Sequence, residues 1–118
     1  MKPSTKDSYE IKGDYNLSSL SSLEQKFLEV FEKAKTLPEQ GVLTVKIEVN
    51  YLASHAKQQL FFFAKELAEH NLNIVNHKID VEWIYDYDDE DIEELGVMFQ
   101  DVFIEKGLSD HFRLVANH

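Results

Sequence analysis

The chain has 118 residues, 43% of them hydrophobic, which is enough for one domain with a packed core. Its formal net charge of −10 argues against nucleic-acid binding and against docking on an anionic membrane, because both depend on Lys and Arg. The lack of Cys excludes a disulfide framework and a Cys-ligated metal site. No apolar run approaches the roughly 18 residues of a membrane span, and the N-terminus lacks the apolar segment of a secretion signal. We therefore expect a soluble cytoplasmic protein with protein or cationic partners.

The first third of the chain predicts one strand and one helix in a single domain that spans residues 1–118. Residues 1–7 are polar and are expected to be disordered. The segment Tyr9–Lys12 alternates and is followed by the turn pair Gly13-Asp14, which predicts a short strand. A serine in the stretch 17–22 is expected to cap a helix that stops before Pro38. The apolar positions of this helix are Leu20, Leu23, Phe27, Val30, Phe31 and Ala34.

The hydrophobic period changes in the middle of the chain. Apolar and polar residues alternate over Val42–Asn50, which predicts a half-buried strand. Helical spacing begins at Ala56 and predicts a second helix from Ser54 to His70, with Ser54 as N-cap and Asn71 as C′ residue. A helical wheel places Phe62 on the exposed side with His55 and Gln58. Its buried face is expected to hold Ala56, Leu60, Phe63, Ala64 and Leu67.

The last third predicts two strands and a third helix. Ile79–Tyr85 alternates, with Ile79, Val81, Trp83 and Tyr85 inward, and His111–Val115 is expected to form an edge strand. The helix is expected over Asp88–Lys106, ended by Gly107. The order β-α-β-α-β-α-β indicates the α/β class. Because alternate strand positions are polar, we expect a small mixed sheet of about four strands with most helical cover on one face. The apolar face of the third helix is Ile92, Leu95, Phe99, Val102 and Phe103.

The segment Asp86–Glu94 carries seven acidic residues. One interpretation is structural, because Asp88 or Asp89 can cap the third helix and acids in a first turn complement the helix dipole. A second is a divalent metal site or a metal-dependent enzyme, although the run lacks the mid-loop Gly of an EF-hand. A third, favoured over metal, is an acidic surface for a basic partner, since so many like charges exceed what capping requires. The metal alternative would use Asp86, Asp88, Asp89 and Asp91.

The sequence contains no motif that predicts catalysis. It lacks a Gly-rich phosphate loop, a nucleophile elbow and a His-x-x-x-His pair, and its five histidines are scattered. Ser54 and His55 are adjacent, but neighbours in a helix diverge by about 100°, which disfavours a direct Ser–His hydrogen bond. We therefore expect no enzyme, no catalytic residue, no metal and no cofactor.

Two stretches resemble the SiaC family of bacterial regulatory phosphoproteins. The run from Trp83 to Ile92, WIYDYDDEDI, with Glu94, Gly96 and Phe99 after it, resembles the family signature W-x-Y-x-x-D-D-E-D-[IM]…E-x-G-x-x-F. Earlier, the family has a strand followed by Y-[LF]-N-T-S-S-x-K at a helix start, where this chain reads YLASHAK over residues 51–57. The resemblance covers roughly residues 9–115 and weakens before Ser22.

The resemblance implies a non-catalytic partner-switching protein with the helix-over-sheet architecture of anti-anti-sigma (STAS-like) domains. Family members are phosphorylated on the Thr of the N-T-S-S corner by a dedicated serine/threonine kinase and dephosphorylated by a PP2C-type phosphatase. Their unphosphorylated form engages an effector, which in the characterised branch is a GGDEF diguanylate cyclase of cyclic di-GMP signalling.

This chain departs from the family at the acceptor itself, because it is one residue shorter between the Tyr and the Lys. Aligned from Tyr51, the acceptor falls on Ser54, and aligned from Lys57 it falls on Ala53. Either Ser54 is phosphorylated, or the chain is a constitutive binding module that has lost the switch.

Phosphate at Ser54 would be tolerated at a helix N-terminus, and its charge would break a contact made there. The expected partner-binding residues are Tyr51, His55, Gln58, Phe62, Asp88, Asp89 and Asp91. Val97 and Ile104 form a second outward pair, and either surface is compatible with a dimer interface.

Overall fold

The structure of the chain is a computed structural model that describes residues 6–74 and 77–117. Strand β1 spans Lys6–Tyr15, and a short 3₁₀ turn at Leu17–Ser19 leads into helix α1, Leu20–Lys35. Strand β2 spans Gly41–Leu52 and helix α2 spans Ser54–Asn73. Strand β3, His77–Asp86, is followed by helix α3, Glu90–Glu105. A second 3₁₀ turn at Ser109–His111 precedes strand β4, Phe112–Asn117.

The four strands form one sheet in the order β1-β2-β3-β4, and every neighbouring pair is parallel. The expected α/β class, element order and number of strands and helices are confirmed. The sheet is wholly parallel, however, which corrects the expectation of a mixed one. The physical reason is that a helix crosses over between each pair of consecutive strands, and such a crossover returns the chain in its original direction. The predicted edge position of the last strand is also confirmed.

All three helices cover the same face of the sheet. Parallel crossovers are almost always right-handed, and the strand order never reverses, so each helix returns to the same side. Accordingly α1 contacts β1 and β2, α2 contacts β2 and β3, and α3 contacts β3 and β4. The opposite face, which we call the open sheet face, carries polar residues that include Thr44, Lys46, Glu48, Glu82 and Arg113. The expected one-sided helical cover is therefore confirmed.

Cross-strand ion pairs compensate the charges on the open sheet face. Arg113 Nη2 lies 2.9 Å from Glu82 Oε1, and Lys12 Nζ lies 3.9 Å from Glu48 Oε2. Parallel sheets that are covered on both faces have nearly continuous apolar strands. Here apolar and polar residues alternate along the strands, so one face of the sheet is polar and can contact water. The apolar halves of the strands and helices form one core, and its largest fully buried side chains are Trp83 and Phe103.

The apolar faces predicted for the helices lie in this core or pack against it, and Phe62, Val97 and Ile104 point outward as expected. The first strand is longer than predicted, since it continues through Gly13 with a register shift between Gly13 and Asp14. Lys6 and Asp7 belong to this strand, and residues 1–5 of the segment expected to be disordered lie outside the described residues.

Two predicted helix termini differ from those in the structure. The N-cap of α1 is Ser19, a serine of the predicted stretch, but its side chain makes no capping hydrogen bond to α1. It serves the preceding 3₁₀ turn instead, where Asn16 Oδ1 accepts from the Ser18 amide at 3.0 Å and Ser19 Oγ accepts from the Asn16 amide at 3.0 Å. Asn71 is not a C′ residue, because α2 continues to Asn73. Its buried side chain instead bonds both backbone groups of Ile79, accepting from N at 2.8 Å and donating to O at 2.7 Å. The predicted end of α3 is confirmed at Gly107, whose φ is +73°.

Candidate functional site

The carboxyl ends of the four parallel strands meet at one edge of the sheet, and the segments that follow them lie along it. These segments are the 3₁₀ turn after β1, the junction of β2 with α2, and the acidic turn between β3 and α3. Three large apolar side chains of this region are exposed, namely Leu17 at 65%, Tyr51 at 56% and Tyr87 at 64%. Because apolar side chains gain from leaving water, such an edge is suited to contact with a partner.

The junction of β2 with α2 is fixed by backbone hydrogen bonds. The amide of Ala53 donates to the carbonyl of Tyr15 in β1 at 2.8 Å. Ala53 is extended, with φ −67° and ψ 160°, and its carbonyl accepts the first helical bond from the Lys57 amide at 3.0 Å. The corner is therefore held by two neighbouring elements and does not depend on a side chain.

Ser54 is the first residue of α2 and not its N-cap, which corrects the sequence prediction. The N-cap is Ala53, which has no side-chain acceptor to offer the first turn. A one-residue error of this kind is expected, because hydrophobic periodicity locates a helix end only to within a residue or two. Ser54 is exposed, and its hydroxyl lies at the positive end of the helix dipole.

Several of the predicted contact residues surround this corner on the exposed surface. Tyr51 precedes it at the end of β2, and His55 follows Ser54 in the first turn of α2. Gln58 lies one turn further and is exposed, and Phe62, one more turn on, is 60% exposed. The sequence thus predicts correctly that His55, Gln58 and Phe62 face water, because helical spacing decides which side of α2 each one takes.

In the acidic turn, only one of the predicted carboxylates has a structural role as a cap. Asp89 is the N-cap of α3, and its Oδ1 accepts from the Ile92 amide at 3.2 Å. The turn is closed by the Asp89 amide, which donates to the Asp86 carbonyl at 2.9 Å, and the Tyr87 amide donates to the Asn117 carbonyl of β4 at 3.1 Å. Asp88 and Asp91 are exposed, so the turn carries more charge than capping uses.

Glu93 is the acid of this segment that binds another side chain, since it accepts a hydrogen bond from the Tyr85 hydroxyl at 2.9 Å. This bond raises the pKa of Tyr85, because deprotonation would place two negative charges side by side. Across residues 6–74 and 77–117, no three His, Asp or Glu side chains are grouped as they would be around a metal ion. The metal alternative for Asp86, Asp88, Asp89 and Asp91 therefore has no geometric support.

A groove between α2 and α3 begins beside the same corner and was not predicted. Its upper part, near Lys57 and Gln58, has a volume of about 400 Å³ and is lined mainly by apolar side chains of both helices. They are Phe61, Phe62, Leu95, Met98 and Phe99. Met98 is 55% exposed, and the groove continues past it to Asp101, Glu105 and Lys106. A sequence pattern could mark Phe62 and Met98 as exposed, but only the packing of α2 beside α3 places them on one groove.

Within the described part of the chain, none of the helices is long and apolar enough to cross a membrane. A family model described as SiaC family regulatory phosphoprotein matches residues 4–108, which is nearly the whole chain. No curated protein and no solved structure matches the chain.

Proposed function

Because the chain belongs to the SiaC family of regulatory phosphoproteins, we propose that it is a cytoplasmic, non-catalytic switch whose carboxyl edge binds an effector protein until Ser54 is phosphorylated. The observation that carries this proposal is the placement of Ser54. Its exposed hydroxyl lies at the start of α2, beside exposed Tyr51 and His55 and two turns from exposed Phe62.

Phosphorylation at this position is compatible with the fold. The first amides of a helix have no intrahelical acceptor, and Ala53 supplies none from its side chain. A phosphate on Ser54 would meet these amides and the positive end of the helix dipole, so α2 would tolerate it. The group adds about −1.5 to −2 charge at an exposed corner. An effector that rests on Tyr51, His55 and Phe62 would then face both the charge and the bulk of the phosphate.

We propose the same classes of partner that the family resemblance implies. A serine/threonine kinase would add the phosphate and a PP2C-type phosphatase would remove it. The effector would be a signalling enzyme such as a GGDEF diguanylate cyclase. Exposed Asp88 and Asp91 in the acidic turn would contribute electrostatic selection of that partner, and Asp89 would hold the start of α3 in place.

The test compares Ser54→Asp with Ser54→Asn in binding to a GGDEF diguanylate cyclase, the effector class proposed above. The two variants differ by one charge at nearly equal size. We expect Ser54→Asp to weaken binding by at least about tenfold, measured by calorimetry, and Ser54→Asn to bind like the unmodified protein. Mass spectrometry after co-expression with a serine/threonine kinase of the proposed class should find phosphate on Ser54. Phosphate only at other positions would refute Ser54 as the acceptor.

The second candidate is a constitutive binding module of the same fold, and Ala53 favours it. One alignment of the family acceptor falls on Ala53, which has no hydroxyl and is fixed in the backbone corner. Equal effector binding by Ser54→Asp and Ser54→Asn, together with no phosphate on Ser54, would establish this candidate in place of the switch.

A further inference from the structure

The groove between α2 and α3 combines an apolar floor with walls of different charge. The rings of Phe61 and Phe99 lie 6.3 Å apart between the two helices and form its floor with Leu95. Phe62 and Met98 stand on opposite sides of it, 60% and 55% exposed. Two large apolar side chains that face water across one groove are typical of a surface that buries a partner.

The α3 wall of the groove, taken with the exposed side of the helix that continues it, is acidic, and Asp101 and Glu105 line the groove itself. Asp91, Glu94, Met98, Asp101 and Glu105 follow one another at alternating intervals of three and four residues, which places them on one side of the helix. All five are exposed, and within residues 6–74 and 77–117 none of the four carboxylates has an ion-pair partner. Four uncompensated carboxylates around one exposed Met attract a ligand that carries positive charge beside an apolar anchor.

The α2 wall differs because it carries lysines, and one of them, Lys65, already contacts two aromatic rings. Lys65 Nζ lies 4.7 Å from the centre of the Phe61 ring and 5.9 Å from that of Phe62. Lys57 lines the same wall near the corner. Glu69 also lines the α2 side, and Lys106 lines the end of the groove beside Asp101 and Glu105. Positive charge still predominates on the α2 side, through Lys57 and Lys65, and negative charge on the exposed side of α3, so the basic side of a ligand faces α3.

We propose that the occupant of this groove is a basic amphipathic helix of the partner protein, with apolar side chains between Phe62 and Met98 and Lys or Arg side chains toward α3. The proposal rests on the proposed function, since the groove begins at the corner that carries Ser54, and it adds the chemistry of the partner. The acidic wall from Asp91 to Glu105 is about 21 Å long at 1.5 Å per residue, which suits a helix of about four turns. Helix-in-groove recognition of this kind uses anchors at i, i+3, i+4 and i+7.

The test uses a synthetic peptide of about 18 residues, with Leu at helical spacing and Lys along one flank, and a scrambled peptide of equal composition. Binding is measured by fluorescence anisotropy, and the site is mapped by amide NMR shifts. The matched variants are Met98→Lys, in the groove, and Val97→Lys, one residue away on the outer side of α3 and 42% exposed. Both add the same charge to the same helix.

We expect the patterned peptide to bind the Met98→Lys variant at least about tenfold more weakly than the Val97→Lys variant, because one loses an anchor that the other keeps. The scrambled peptide should bind both variants alike, since only overall charge attracts it. Equal binding of the two peptides, equal weakening by the two variants, or shifts confined to the open sheet face would overturn the proposal. A dimer that Met98→Lys dissociates would also overturn it, by assigning the groove to a second copy.

The same peptide separates this proposal from the phosphorylation switch. If Met98→Lys weakens peptide binding but Ser54→Asp does not change effector binding, the helix-docking proposal stands and the switch fails. If Ser54→Asp releases the effector but the patterned peptide does not bind, the switch stands and the docking proposal fails.

Discussion

Ala53 occupies the N-cap of α2, a position where a hydroxyl, amide or carboxylate side chain normally accepts from the first turn. Its backbone is already in the extended conformation that such a cap needs, with φ −67° and ψ 160°. The first amides of α2 therefore receive no side-chain acceptor from the N-cap. The sequence alone placed this role on Ser54, because the two residues are adjacent and periodicity does not resolve a single residue.

Replacing Ala53 with Ser should stabilise the protein by about 1 kcal/mol, since a Ser side chain can accept from the amide of His55 or Ala56, the second and third residues of α2. The gain is measured by urea unfolding. Ala116→Ser on exposed β4 is the control and should change stability by less than about 0.5 kcal/mol. A loss of stability in Ala53→Ser would show that the free amides of α2 do not limit the stability of the junction between β2 and α2.

At the scale of the element, the residues that carry the family resemblance pack on one another where α3 meets the sheet. The indole Nε1 of Trp83 donates to the Ile92 carbonyl at 2.9 Å, and its ring lies 5.1 Å from that of Phe99. Gly96 lets this ring approach the helix, because a Cβ there would come within 2.4 Å of Trp83 Cδ1 and 2.7 Å of Leu114 Cδ2. Much of the signature therefore orients α3, and through it the acidic turn and the groove.

Gly96→Ala should destabilise the protein by about 1–3 kcal/mol, because the added methyl group forces the indole or the helix to move. The gain of up to about 1 kcal/mol in helix propensity offsets only part of this cost. Val97→Ala, at the exposed neighbouring position, is the control and should stay within about 0.5 kcal/mol. Thermal or urea unfolding of both variants measures the difference. Equal stabilities would mean that α3 docks without close contact at Trp83.

At the scale of the whole molecule, stability should depend on the protonation of His70. Its ring packs beside Phe31 and lies 5.2 Å from the ring of His77. Desolvation, with smaller contributions from His77 and Lys78, lowers the pKa of His70 below its usual value of 6.5. The unfolded chain then binds a proton more readily than the folded one, so the free energy of unfolding falls as the pH drops below about 6.5.

Urea unfolding at pH 7.5 and pH 5.5 measures this dependence. We expect the unmodified protein to lose more stability between these two values than His70→Gln, in which the titrating group at position 70 is gone. A dependence on pH that is identical in the two proteins would assign it to other groups.

The sequence by itself determined the class and order of the elements, the inward faces of all three helices and the exposure of Phe62, because these follow from period and local propensity. It also marked the strand-to-helix corner and the acidic turn. Only the tertiary structure decided that the sheet is wholly parallel, that Ala53 and not Ser54 occupies the N-cap position of α2, and that Asn71 bonds Ile79. It alone placed Phe62 and Met98 on one groove. These features depend on which segments lie beside one another, and periodicity along one segment carries no information about its neighbours.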